Sequence, residues 1–409
     1  MASSEQHRRV VITGVGLHTP MGDSLDDIEA RYRRGASAVR YRPDSQGNGA
    51  RAAAFLDGDA AQGFPGALAK MTDRSTLIAL RASDAVMGDA ALRRGEYDAT
   101  RIGTFLGFGF PTETNFAASG ELLRTDHMSP MTLFKMLPNA AAGHVSMRHG
   151  LKGECATHLL ACCAAAAALA HAMRSIRHGY LDMAIAGGVD TPLAESSFRA
   201  WEALQLLASA DPENPAAACR PFSADRRGFV LGEGAVLYLL EDEAHARARG
   251  ARIYATLAGC GLSASAGNAT LPSASGVEAA MRGALEDAGL GADAIGYVNA
   301  EGSATARGDV IETQALHATF GARARAVPVS STKPFHGHLL GASAAMDMLA
   351  ALVALDRGVI APTLNLDAPD PECDLDYVPN AARTDVRIDA AMVNTFGFGG
   401  CNASVVLTH

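Results

Sequence analysis

"THLLACCAAAAALAHAMRSIRHG", Thr157 to Gly179, sets two adjacent cysteines at the head of an alanine-rich run. Arg174, Arg177 and His178 occupy the last turn before Gly179, so the run is charged in the sense a helix dipole prefers and ends at a capping glycine. Its small side chains permit close helix packing. The run cannot span a bilayer, because His171, Arg174 and Arg177 interrupt it within a few turns. The segment after it, "LDMAIAGG" (181–188), reads as a buried strand. Two readings of the cysteines stand at this point. Free cysteine is among the most buried residue types, which suits a packing role. A thiol at a helix N-terminus also faces orphan N–H groups and the positive end of the dipole, which lowers its pKa and makes a nucleophile.

Working outward, strand-like and helix-like segments alternate along the chain. "RRVVITGVG" (8–16) and "AVLYLLED" (235–242) read as strands, and "SLDDIEARYRRG" (24–35) as a helix capped by Ser24 and Asp27. "GVEAAMRGALEDAG" (276–289) is an amphipathic helix ending at a glycine, while "IGYVNAEG" (295–302) and "DAAMVNTFGFGGCNASVVLTH" (389–409) supply late strands. The order is that of an α/β layered architecture. A charged helix gives way to a fresh strand in "RGARIYATLAG" (249–259), which divides the chain into 1–251 and 252–409.

Bulk composition excludes several classes. A chain of 409 residues that is 48% apolar and 19% charged has the make-up of a folded protein with an ample core. The net charge of −9 argues against a general attraction to nucleic acid or anionic membrane. Seven cysteines are too sparse for a disulfide scaffold and match no zinc spacing. The start, "MASSEQHRRVVITGVG", lacks the apolar stretch of a secretory signal, so the expected compartment is the reducing cytoplasm. "TGVGLHTPMG" (13–22) lacks the third glycine of a dinucleotide fingerprint, and His336 and His338 have no third partner nearby for a metal. No bound cofactor or metal is expected.

Five stretches carry a resemblance: "GLKGECATHLLACC" (150–163), "RPFSADRRGFVLGEGA" (220–235), "NAEGSATARGD" (299–309), "SSTKPFHGHLLGASAA" (330–345) and "NTFGFGGCNAS" (394–404). Together they resemble the β-ketoacyl-acyl carrier protein synthases, most of all the type II elongating enzymes, over nearly the whole chain. The resemblance implies the thiolase fold, two similar α/β halves in a five-layered α-β-α-β-α core, usually as a homodimer or a heterodimer with a ketosynthase-like chain. It also implies an acyltransferase that takes an acyl chain from the phosphopantetheine of an acyl carrier protein and condenses it with a malonyl-carrier protein unit, in fatty acid or polyketide-type biosynthesis. Placed by the motifs on either side, Cys162 matches the acyl-accepting cysteine and Cys163 a packing residue. Lys333 and His338 match the family's Lys and His motif. The N–H groups of Cys162 and Phe398 match the oxyanion hole that acyl transfer through a tetrahedral intermediate requires. Phe110 and Phe396 are the expected substrate-lining residues, and Lys70 and Arg74 the candidate basic contacts for the acidic carrier protein. Lys333 could orient Asp309 or Glu312.

Glu301 departs from the family, which has histidine at this position of the Asn-Ala-His-Gly-Thr motif. An ionised glutamate accepts hydrogen bonds and cannot donate one to the enolate left by malonyl decarboxylation. At ~4 Å and an effective dielectric of about 20 it would repel that enolate by about 4 kcal/mol, which is roughly three decades in rate. Three readings follow. Glu301 is held protonated and the chain condenses; or Glu301 orients His338 for transfer to an alcohol, amine or other acceptor without decarboxylation; or the chain is a non-catalytic partner of a ketosynthase, like a chain-length factor. Such partners typically lose the cysteine, which this chain keeps.

Overall fold

Strands covered on both faces need apolar residues throughout rather than alternation, and Val10–His18 is buried at every position but the last. The computed structural model describes residues 8–43, 50–109, 112–209 and 213–409. Ten of its strands form one mixed sheet: β1 (Val10–His18), β2 (Ile102–Gly107), β3 (Cys155–His158), β4 (Met183–Asp190), β5 (Gly234–Asp242), β6 (Ala255–Ala264), β7 (Tyr297–Asn299), β8 (Val329–Ser330), β9 (Ala390–Gly397) and β10 (Cys401–Thr408). Their spatial order is β8-β7-β9-β10-β6-β1-β5-β4-β2-β3.

That order contains the same unit twice. In the first, β1–β5 and β5–β4 pair antiparallel, β4–β2 and β2–β3 parallel. In the second, β6–β10 and β10–β9 pair antiparallel, β9–β7 and β7–β8 parallel. The two arrays meet where Val11 and Ile12 of β1 pair with Thr256 and Ala255 of β6.

Helices complete the layers. Helix α1 (Arg74–Asp89) and α2 (Ala140–His149) cover the outer face of the first array, and α4 (Ala274–Ala288) and α5 (Gly308–Phe320) that of the second; α3 (Ala164–Arg177) and α6 (Ser343–Arg357) lie between the arrays and touch each other. This is the five-layered core of the thiolase fold. The alanine run of α3 is what its place requires. At Gly107 of β2 a Cβ atom would lie 2.2 Å from the Ala165 nitrogen, so helix and strand touch backbone to backbone. Only small side chains fit there.

The helix read at 24–35 spans Leu25–Arg34, with Ser24 Oγ accepting the Asp27 N–H at 3.2 Å. Among the described residues no helix is long and apolar enough to cross a membrane. A small sheet of Arg40–Pro43, Ala50–Ala54 and Leu231–Gly232 brings Ala53 and Leu231 into one apolar cluster with Cys162.

Candidate active site

The repeat puts equivalent points of the two arrays face to face. Cys162 lies between β3 and α3, and His338 between the matching β8 and α6. Ala161 takes φ 46°, a left-handed conformation uncommon outside glycine, and Cys162 follows it in a short 3₁₀ turn before α3 begins. Cys162 Sγ lies 3.1 Å from His338 Nε2, with both residues buried. His338 Nδ1 lies 2.7 Å from Ser343 Oγ, and the His338 N–H donates to the Val230 carbonyl at 2.6 Å. The edge of the imidazole meets Phe229, centroids 5.2 Å apart.

Glu301 follows β7, on a turn whose shape Glu312 sets by accepting the Glu301 and Gly302 N–H groups at 3.0 and 2.9 Å. Its Oε1 lies 3.7 Å from His338 Nε2 and 3.5 Å from Lys333 Nζ, and its Oε2 accepts the Phe396 N–H at 3.3 Å. Lys333 Nζ makes its closer pair with Asp347 Oδ2, at 2.9 Å. The partner expected from sequence, Asp309 or Glu312, is therefore replaced by Asp347. Asp309 instead accepts the Phe222 N–H at 2.8 Å, beside Arg226.

Burial and the Glu301 carboxylate push the Cys162 thiol well up, against the lowered value expected from the helix dipole. Burial, reinforced by the Lys333 ammonium, pushes His338 well down. The resting pair is therefore a neutral thiol and a neutral imidazole. Burial opposes the Lys333 charge, but Asp347 and then Glu301 outweigh it and hold the ammonium. Burial raises Asp309 to about 7 and Glu312 to about 8.

Cys162, Glu301, His338, Phe396 and Phe398 line one cavity of about 470 Å³, and Lys333 stands behind Glu301. Phe398 sits in the Gly397–Gly400 turn, where a Cβ on Gly397 would come within 3.1 Å of the Cys162 nitrogen. That close approach sets the turn beside the backbone of Cys162. Phe110 lies outside the described residues. Cys163 Sγ points away and donates to the Thr395 and Cys401 carbonyls, both at 3.3 Å. Arg74 does not offer a free charge: it pairs with the buried Glu233 at 2.6 Å, whereas Lys70 is exposed.

Sequence reading missed three contributors. Asp347 had a signal, a lone carboxylate in the apolar run "SAAMDMLAALVAL" that needs a cation if the run is buried. Ser343 had none. Trp201, the only tryptophan, stacks on Phe398 with centroids 5.4 Å apart and meets Phe229 edge-on at 5.5 Å. Among the described residues no cluster of metal-binding side chains occurs.

Residues 7–246 match the family described as beta-ketoacyl synthase, N-terminal domain, and residues 254–367 the beta-ketoacyl synthase, C-terminal domain. Nodulation protein E of Rhizobium sp. (strain N33) is 40% identical over 407 residues, 97% of this chain and 98% of that protein. The 3-oxoacyl-[acyl-carrier-protein] synthase 2 of Coxiella burnetii (strain RSA 493 / Nine Mile phase I) is 36% identical over 415 residues, 99% of each. The crystal structure of a beta-ketoacyl synthase from Burkholderia phymatum STM815 superposes with a TM-score of 0.91 at 36% identity, covering 98% of this chain and 99% of that one. The chain belongs to the β-ketoacyl synthase family of acyl-transferring enzymes.

Proposed function

We propose that the protein takes an acyl group from the phosphopantetheine of an acyl carrier protein onto Cys162 and condenses it with a malonyl-carrier protein unit, in fatty acid or polyketide-type biosynthesis. The observation that carries this reading is the 3.1 Å contact between Cys162 Sγ and His338 Nε2 at a cavity bounded by the Phe398 turn. As the thioester enters, the thiol proton passes to His338 Nε2 and the sulfur attacks the carbonyl carbon. The Cys162 and Phe398 N–H groups receive the oxyanion. The bond to the pantetheine sulfur breaks, and that thiolate takes a proton from water. Glu301 is the counter-charge that holds the imidazolium through the acyl-enzyme. Malonyl-carrier protein then loses carbon dioxide, and the His338 Nε2–H donates to the enolate oxygen. The enolate carbon attacks the acyl carbon, and the proton returns to Sγ.

In this reading residues 1–251 bring the nucleophile and residues 252–409 bring Glu301, Lys333, His338 and the glycine turn. The enzyme works in the cytoplasm, where its free cysteines stay reduced, as a dimer with itself or a ketosynthase-like chain. The Glu301–His338 contact also favours a second reading, Cys-His-Glu transfer to an alcohol or amine without decarboxylation. Mass spectrometry after incubation with acyl-carrier protein, with and without malonyl-carrier protein, separates them. One acyl mass on Cys162, discharged as a β-ketoacyl product with loss of carbon dioxide, is the expected result. A chain that never takes an acyl group, while a second subunit beside it does, is a partner protein.

A further inference from the structure

His338 is held at both ring nitrogens, and the hold on Nδ1 comes from Ser343, a residue to which the resemblance assigned no role. Ser343 is the first residue of α6, fully buried, with Oγ 2.7 Å from Nδ1. On the other side, Nε2 faces Cys162 Sγ at 3.1 Å and Glu301 Oε1 at 3.7 Å. A neutral imidazole has one N–H and one lone pair, and which nitrogen carries the proton is set by its neighbours. The thiol stays protonated, so its buried S–H needs an acceptor, and Nε2 is the one at hand. That places the ring proton on Nδ1, where a hydroxyl oxygen accepts it. Cys162, Glu301, Lys333 and His336 are the titratable groups around the ring; all four lie elsewhere than on the Ser343 helix.

We infer that Ser343 is a positioning residue that accepts the Nδ1–H of His338 and so confines the mobile proton to the line between Cys162 Sγ and Nε2. It keeps this role in both charge states, since the imidazolium still donates from Nδ1. The inference rests on the proposed Cys162–His338 proton transfer and goes further by naming what orients the base. Without the hydroxyl, the ring proton can move to Nε2, which removes the base from the thiol.

Three measurements on the full-length protein test this. Two-bond ¹H–¹⁵N spectra of the histidine-labelled wild type should show His338 protonated at Nδ1; a proton on Nε2 overturns the inference with no variant needed. Ser343→Ala should slow acylation of Cys162 by an acyl-carrier thioester about tenfold and displace its pH dependence to higher pH, because hydroxide must replace a misdirected base. Ser343→Thr, which keeps the hydroxyl, should restore both tautomer and pH profile. If Ser343→Ala keeps the wild-type tautomer and profile, the hydroxyl is only a packing group. If wild type takes no acyl group from any carrier thioester while the spectra show Nδ1–H, the proposed function fails and the tautomer assignment stands.

Discussion

Cys162 and Cys163 adjoin in sequence and face opposite ways, one toward His338 and the cavity, the other into the Thr395 and Cys401 carbonyls. Only the first lines the cavity, so it alone is placed to take the proposed acyl group. Incubation with an acyl-carrier donor should add one acyl mass to wild type and to Cys163→Ala and none to Cys162→Ala; acylated Cys162→Ala would remove the assignment. The raised thiol pKa yields a pH prediction. Well below its pKa a thiol gains about tenfold in thiolate per pH unit. Iodoacetamide labelling of the Cys162 peptide, followed by mass spectrometry, should therefore climb from pH 6 to pH 10 without a plateau. A plateau near neutrality would mean that the helix dipole dominates after all.

At the scale of elements, the turn after β7 decides what Glu301 does. Glu312 fixes the turn through two backbone N–H groups, and this aims the Glu301 carboxylate between Lys333 and His338. An isolated carboxylate would oppose the enolate. One paired with an ammonium 3.5 Å away and accepting the Phe396 N–H has much of its charge answered locally. What remains favours the imidazolium beside it. We expect Glu301→Gln to acylate Cys162 yet to release carbon dioxide from malonyl-carrier protein about tenfold more slowly, the weight of one lost charge contact of about 1.4 kcal/mol. Radiolabelled carbon dioxide capture reads this directly. A Gln variant faster than wild type would show the carboxylate to be a hindrance and turn the balance to a non-malonyl acceptor.

At the scale of the whole molecule, the repeated unit leaves β3 as a free edge of the sheet. Helices Thr112–Thr125 and Thr132–Met136 pack on each other nearby in sequence and expose Leu123 (88%), Leu133 (65%) and Phe134 (47%). The proposed dimer would cover these apolar side chains, which otherwise stay in water. Sedimentation equilibrium should give two chains per particle for wild type and one for Leu123→Glu combined with Phe134→Glu. A monomeric wild type would sink the dimer.

Alternation of apolar strands with helices made the α/β class legible, and the resemblance of five motifs to the ketosynthases brought Cys162, His338, Lys333 and Phe398 into view. The cysteine pair itself stayed ambiguous until the motifs around it were read together. Tertiary structure alone decided the rest. The Asp347 partner of Lys333 lies in the following helix, with no fixed spacing to announce it. Arg74 is spent on Glu233, 159 residues away, and the thiol of Cys162 is raised rather than lowered because burial and Glu301 act on it together. Sequence determines which groups a turn or strand will carry; charge state and hydrogen-bond partner depend on what lies within about 4 Å in space, and the fold brings those neighbours from elsewhere in the same half for Lys333 and Arg74 and from the opposite half for Cys162.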